Sequence, residues 1–298
     1  MISIDLVSGF LGAGKTTFCS LLLKHYINMG AKPVYIVNEF GQTGLDADII
    51  KADGFEAVEM FGGCICCTLK GEVTVAIVKV IEAFLPTHIV FEPSGIFIFD
   101  DFFDVLSNPE IKGKCVIGNV ITIVDGVNFK YTKAMFGSFL YNQIKNAPTL
   151  VISKLEKKQY DPDELIADMR NINPDAFIMA KEWQEFMDED FKELLTERKG
   201  MVFDHPEHVH GHFKSLTVKP EGTFSQERLD DFSKLCTSGA FGELFRIKGV
   251  VMTDDGPVLL NIAKEDVNIE AFKGYSPSTL TFIGQNVDQA AVKNFITS

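Results

Sequence analysis

The chain has 298 residues, 46% of them hydrophobic and 23% charged, which suits a globular protein and excludes extended disorder. Acidic residues outnumber basic ones, 41 against 28, and the formal net charge of -13 repels phosphate backbones and argues against nucleic-acid binding. No apolar run approaches the roughly 18–20 residues of a membrane span, and the start MISIDLVSG carries no basic leader, so a cytoplasmic protein without membrane contact is expected.

Such a length predicts one large domain and a smaller one. Ile2 to Ser8 reads as the first strand, and Thr16 to Met29 as a helix with Phe18, Leu21, Leu22 and Ile27 at helical spacing, stopped by Gly30. Further strands are expected at Val34–Asn38, His88–Glu92, Val116–Val124, Thr149–Ser153 and Ala176–Met179, alternating with helical stretches of which Lys70–Phe84 is the clearest. The alternation predicts an α/β fold, a mostly parallel sheet covered by helices, over residues 1–200. Residues 201–213 break both periodicities and read as a linker. Residues 214–298, with strands at Lys214–Val218, Leu244–Thr253, Val258–Ile262 and Leu280–Ile283, a helix at Gln226–Leu235, a turn at Asp254–Gly256 and a final helix, predict a small α+β domain.

The segment Gly9-Phe10-Leu11-Gly12-Ala13-Gly14-Lys15-Thr16 fits GxxxxGK[ST] between a strand and a helix, the context that pattern needs. Its backbone amides can surround phosphates, Lys15 can reach the β and γ groups, and the Thr16 hydroxyl can ligate Mg²⁺. Gly9, Gly12, Ala13, Gly14, Lys15, Thr16 and Thr17 are the candidate phosphate-binding set. Glu92 ends an apolar strand, where an acid can hold Mg²⁺ or its water; an ordinary strand-end carboxylate is the alternative. Gly95 follows with an amide for the γ-phosphate.

Gly62 and Gly63 precede Cys64-Ile65-Cys66-Cys67, whose soft thiolates favour zinc, copper(I) or similar ions over magnesium. Three ligands leave one coordination position open. Buried apolar cysteines and a redox pair are the other readings of Cys64, Cys66 and Cys67. His205, His208, His210 and His212 cluster in the linker and can gather metal weakly, although the spacing matches no closed zinc site and an exposed polar linker reads equally well.

The order of these motifs resembles the CobW-type metallochaperone GTPases, relatives of the nickel-insertion GTPases of urease and hydrogenase. GFLGAGKTT, Asn38-Glu39-Phe40-Gly41 with Asp46 after it, GGCICC, Glu92-Pro93-Ser94-Gly95 and Val124-Asp125 carry the resemblance, as do Arg246-Ile247-Lys248-Gly249 and Phe282-Ile283-Gly284 near the end. It implies that the cysteines bind a transition metal such as zinc or cobalt, and that nucleotide state governs its release to a client metalloprotein. Lys15, Thr16, Glu39, Asp46 and Glu92 then form the catalytic set, with Glu39 serving either the Mg²⁺-bound water or the transition metal. Moving a loop from 1:99 to 99:1 takes about 5.5 kcal/mol of differential binding, whereas a closed zinc site holds roughly 10–16 kcal/mol, so an open site completed by client ligands is expected.

Guanine is read in such proteins by an NKxD segment, and here Ser153-Lys154-Leu155-Glu156 stands in its place. Lys154 can pack on the base and Glu156 can accept two ring donors, but Ser153 is expected not to bridge as an Asn amide does, which brings ATP into contention beside GTP. A nucleotide-dependent metal or redox sensor and an ATP-using P-loop kinase are the rival functions. Phe97, Phe99, Phe102 and Phe103 are expected in the core or a domain interface, Asp188–Glu193 on a solvated helix face, and Cys19, Cys115 and Cys236 as buried structural thiols.

Overall fold

The computed structural model describes residues 1–39, 45–61, 69–95, 99–157, 161–196, 214–263, 266–272, 278–284 and 286–297. The N-terminal part runs β1 Ile2–Gly9, α1 Lys15–Asn28, β2 Pro33–Glu39, α2 Leu45–Ala52, β3 Ala57–Phe61, α3 Leu69–Phe84, β4 His88–Glu92, α4 Phe99–Leu106, β5 Cys115–Asp125, α5 Phe129–Lys145, β6 Thr149–Ser153, α6 Pro162–Ile172, β7 Phe177–Ala180 and α7 Asp188–Leu194. The C-terminal part runs β8 Lys214–Val218, α8 Gln226–Ser238, β9 Leu244–Thr253, β10 Gly256–Ala263, β11 Asp266–Ala271, β12 Thr279–Gly284 and α9 Gln289–Thr297.

The first sheet is parallel throughout, in the order β3-β2-β4-β1-β5-β6-β7. Its central strands are apolar on both faces because helices cover both. Phe91, Phe99, Phe102, Ile77 and Val80 pack on one side, and Phe18, Leu22, Tyr35 and Ile50 on the other. Phe99 and Phe102 are therefore core residues as expected; Phe97 and the Phe103 side chain lie outside the described residues. α1 buries Phe18, Cys19, Leu22, Leu23 and Tyr26, so its inner face is rotated from the expected one, and Ile27 is exposed. The acidic α7 is solvated along Asp188 and Glu189 but buries Phe191 and Leu194 against α1, with Asp188 Oδ1 2.8 Å from His25 Nδ1.

The second sheet is antiparallel, in the order β11-β10-β9-β12-β8. One face packs on α8 and α9 through Ile247, Val251, Phe282, Phe232 and Ile296. A register shift between Ile283 and Gly284 leaves Phe245 as the extra residue of β9 and turns it to the other face, where it meets Phe10, Leu11, Phe136 and Phe139 in an apolar cluster joining the two domains. α5 leaves helical geometry at Phe136 (φ -132°, ψ 31°), where its ring stacks on Phe10 at 4.9 Å and meets Phe245 edge-on at 4.5 Å. The kink thus coincides with the residue docked between the domains.

Candidate functional site

β1 and β4 are neighbours in the sheet, so the loop after β1 and the acid ending β4 emerge at one edge, where open α/β sheets form their ligand crevice. Lys15, 4% exposed, reaches back so that Nζ lies 3.4 Å from the Phe10 carbonyl and 3.9 Å from Glu92 Oε1. The Thr16 hydroxyl donates to Asp46 Oδ1 at 2.9 Å and lies 3.3 Å from Glu92 Oε1. Glu92 is oriented from its other side by the Tyr35 hydroxyl, which donates to Oε2 at 2.6 Å. A hydroxyl and two carboxylates converging beside an ammonium make an all-oxygen donor set suited to Mg²⁺ rather than to a soft ion. Lys15, Thr16, Asp46 and Glu92 are thus brought together; β2 ends at Glu39, whose side chain lies outside the described residues.

Two glycines permit close approach. Gly12, at φ +77°, would place a Cβ 2.6 Å from the Cβ of Ala263, and a Cβ on Gly95 would sit 2.5 Å from the Leu11 amide nitrogen. Gly95 is held there by Gln143 Nε2, which donates to its carbonyl at 3.1 Å. Beside it, the buried Ser94 hydroxyl has no hydrogen-bond partner among the described residues and borders a small cavity with Lys15, Asp46 and Glu92.

The Ser153 hydroxyl donates to the Ala13 carbonyl at 2.6 Å and ties the end of β6 to the phosphate loop, because the strand end lies close enough for a short side chain to reach. Lys154 takes a left-handed backbone (φ 61°), and its ammonium is clamped by Asp125 Oδ2 at 2.9 Å and Asp266 Oδ2 at 2.6 Å. Burial pulls its pKa down, but the two carboxylates outweigh that and raise it above the ordinary lysine value. Glu156 is exposed in the 3-10 turn Leu155–Lys157. Trp183 lines the cavity instead: its ring would lie 3.7 Å from a Cβ on Gly14. That aromatic was overlooked, although the chain's single tryptophan just after a late strand was a legible signal.

A cavity of about 440 Å³ opens over Gly12, Gly14, Lys15 and Thr16, and its opposite wall is C-terminal: Arg246 and Lys248 of β9 with Asn261 of β10. Lys248 forms an ion pair with Asp46 Oδ1, the oxygen that also accepts from Thr16. Sequence reasoning noted Arg246 and Lys248 without a role, since nothing local shows which domain face a strand presents.

Residues 3–180 match the model of the CobW/HypB/UreG nucleotide-binding domain, and residues 213–297 match that of the cobalamin synthesis protein CobW C-terminal domain. The chain belongs to the CobW/HypB/UreG family. A relative named zinc chaperone CobW, from a Sinorhizobium species, is 36% identical over 132 residues, covering 42% of this chain and 36% of its own length. Zinc-regulated GTPase metalloprotein activator 1 of Dictyostelium discoideum is 24% identical over 313 residues, covering 88% of this chain and 65% of its own length. The chain thus spans less than two thirds of these relatives. The zinc-bound YjiA GTPase of Escherichia coli is 18% identical, with 99% of this chain and 98% of that chain covered at a TM-score of 0.46.

In this CobW-family chain Cys64, Cys66 and Cys67, with His205, His208, His210 and His212, lie outside the described residues. Among the described residues no group of three or more His, Cys, Asp or Glu side chains could hold a metal ion, and no helix is long and apolar enough to cross a membrane. Cys19 and Cys236 are buried; Cys115 is only half-buried, because it opens β5 at the end of the sheet. Burial, aided by the nearby Glu92 charge, pushes the Cys19 thiol far above its usual range, so it is an inert packing group.

Proposed function

We propose that the chain is a GTP-hydrolysing metallochaperone that carries a transition metal, zinc or cobalt, on Cys64, Cys66 and Cys67 and hands it to a client metalloprotein. The observation that carries this reading is the convergence of Lys15, Thr16, Asp46 and Glu92 at the mouth of a phosphate loop, in a family whose relatives are named zinc chaperones and zinc-regulated GTPase metalloprotein activators. Residues 1–200 form the nucleotide domain in this proposal, 201–213 the linker and 214–298 the C-terminal domain.

Lys15 and the amides of Gly12, Ala13, Gly14 and Thr17 hold the phosphates, and Gly95 offers its amide to the terminal one. Thr16 and Glu92 would hold Mg²⁺, which would supply neutralisation of the charge developing on the transferred phosphoryl group. Tyr35 keeps Glu92 aimed, and Asp46 keeps the Thr16 hydroxyl turned toward the site. Glu39, on the strand beside β4, orients the attacking water. Ser153 ties the base-side strand to the loop, Lys154 is held by two carboxylates, and Trp183 walls the cavity in which the base would sit.

Trp183 supplies the test, because one tryptophan makes its emission unambiguous. Nucleotide should change that emission in wild type and not in Lys15→Ala, and GTP should compete better than ATP. A preference for ATP overturns the GTP assignment. Cobalt added to reduced protein should give thiolate bands that vanish in the Cys64, Cys66 and Cys67 triple Ser variant. Equal cobalt affinity with GDP and a non-hydrolysable GTP analogue would refute nucleotide-gated transfer.

A further inference from the structure

Two cations of the C-terminal domain are buried at a place where an apolar interface would serve docking better. Arg246 and Lys248 are 7% and 4% exposed, stand two residues apart on β9, and so share the face turned toward the phosphate loop. Lys248 is tied to Asp46, the carboxylate bound to the Thr16 hydroxyl, so the second domain enters the hydrogen-bond network at the mouth of the loop. Arg246 borders both the large cavity and the smaller one beside Ser94, Lys15 and Glu92. Two further polar groups there are buried without a hydrogen-bond partner among the described residues: the Ser94 hydroxyl and the Asn261 amide oxygen. The apolar contacts of Phe10 and Leu11 with Phe245 and Ile283 hold this wall close, and Gly12 touching Ala263 leaves no space for slack.

We propose that Arg246 and Lys248 form a terminal-phosphate site that the C-terminal domain supplies to the phosphate loop, so that docking of this domain distinguishes a bound nucleoside triphosphate from a diphosphate. The inference rests on the nucleotide-binding reading above. Arg246 contributes the planar fork of donors that suits phosphate oxygens. Lys248 keeps Asp46 in place and adds its charge beside the same oxygens. On this reading the wall contacts the third phosphate, the group a diphosphate lacks.

The probes are the diphosphate and non-hydrolysable triphosphate of the base selected by competition, in fluorescent form, bound to wild type, Arg246→Gln and Lys15→Ala. Loss of binding to both nucleotides in wild type would sink the nucleotide reading itself. With wild type binding, Arg246→Gln should lose about tenfold or more in affinity for the triphosphate while its diphosphate affinity stays within about twofold. An unchanged triphosphate-to-diphosphate ratio overturns the proposal, because a merely structural arginine would weaken both alike. Lys248→Met with Asp46→Asn removes both members of the pair together and should also lower the ratio. Should these variants unfold, hydrogen exchange of the wild-type β9 amides decides: stronger protection with saturating triphosphate than with diphosphate is expected, and equal protection overturns the proposal.

Discussion

Replacing Lys154 by Met tests whether the two domains are tied together electrostatically. The ammonium is 12% exposed and pairs with Asp125, 7% exposed, and with Asp266 of the C-terminal domain, 12% exposed. Met keeps most of the stem, so no large cavity opens; the cost is that two buried carboxylates lose their counter-charge. Removing one member of a buried pair costs about 3–5 kcal/mol, and limited water access at both ends puts the expected loss near the lower figure, about 3 kcal/mol. Urea unfolding followed by Trp183 emission measures it, and combining Lys154→Met with Asp266→Asn isolates the leg between domains as a coupling above about 1 kcal/mol. The pH dependence has a definite sign. A lysine whose folded pKa lies above its ordinary 10.5 contributes fully below that value and loses its contribution as pH rises through the folded one. The gap between wild type and variant should therefore be flat around pH 7 and shrink only once the pH has risen past the ordinary lysine value. A loss below about 1 kcal/mol, the range of exposed ion pairs, would refute the reasoning.

Tyr35→Phe removes the 2.6 Å bond to Glu92 and should cost about 1.5–3 kcal/mol in urea unfolding, with the fold intact by circular dichroism. Gly12→Ala forces a Cβ against Ala263 and a side chain into a left-handed backbone, costing about 1–3 kcal/mol for overpacking and about 1–2 for conformation. Adding Ala263→Gly should restore the first part and leave the second. Phe136→Ala empties the junction among Phe10, Phe139 and Phe245 and should cost about 3–5 kcal/mol, read as a lowered urea midpoint.

The sequence determined by itself whatever depends on neighbours in the chain. Apolar runs such as His88–Glu92 and Thr149–Ser153 announced strands because strands buried on both faces need continuous apolar residues, and both match the observed bounds. The phosphate loop was legible because its glycines, lysine and threonine act within one turn between β1 and α1. β11, Asp266–Ala271, was not legible: an edge strand with mostly exposed residues carries no apolar pattern, yet it supplies Asp266. Only the tertiary structure decided that Tyr35 aims Glu92, that Ser153 reaches Ala13, and that Lys248 meets Asp46 some two hundred residues away. Each of these pairs joins segments whose separation in the chain leaves no periodic trace, because which side chains meet depends on strand order and on how one folded domain docks against another.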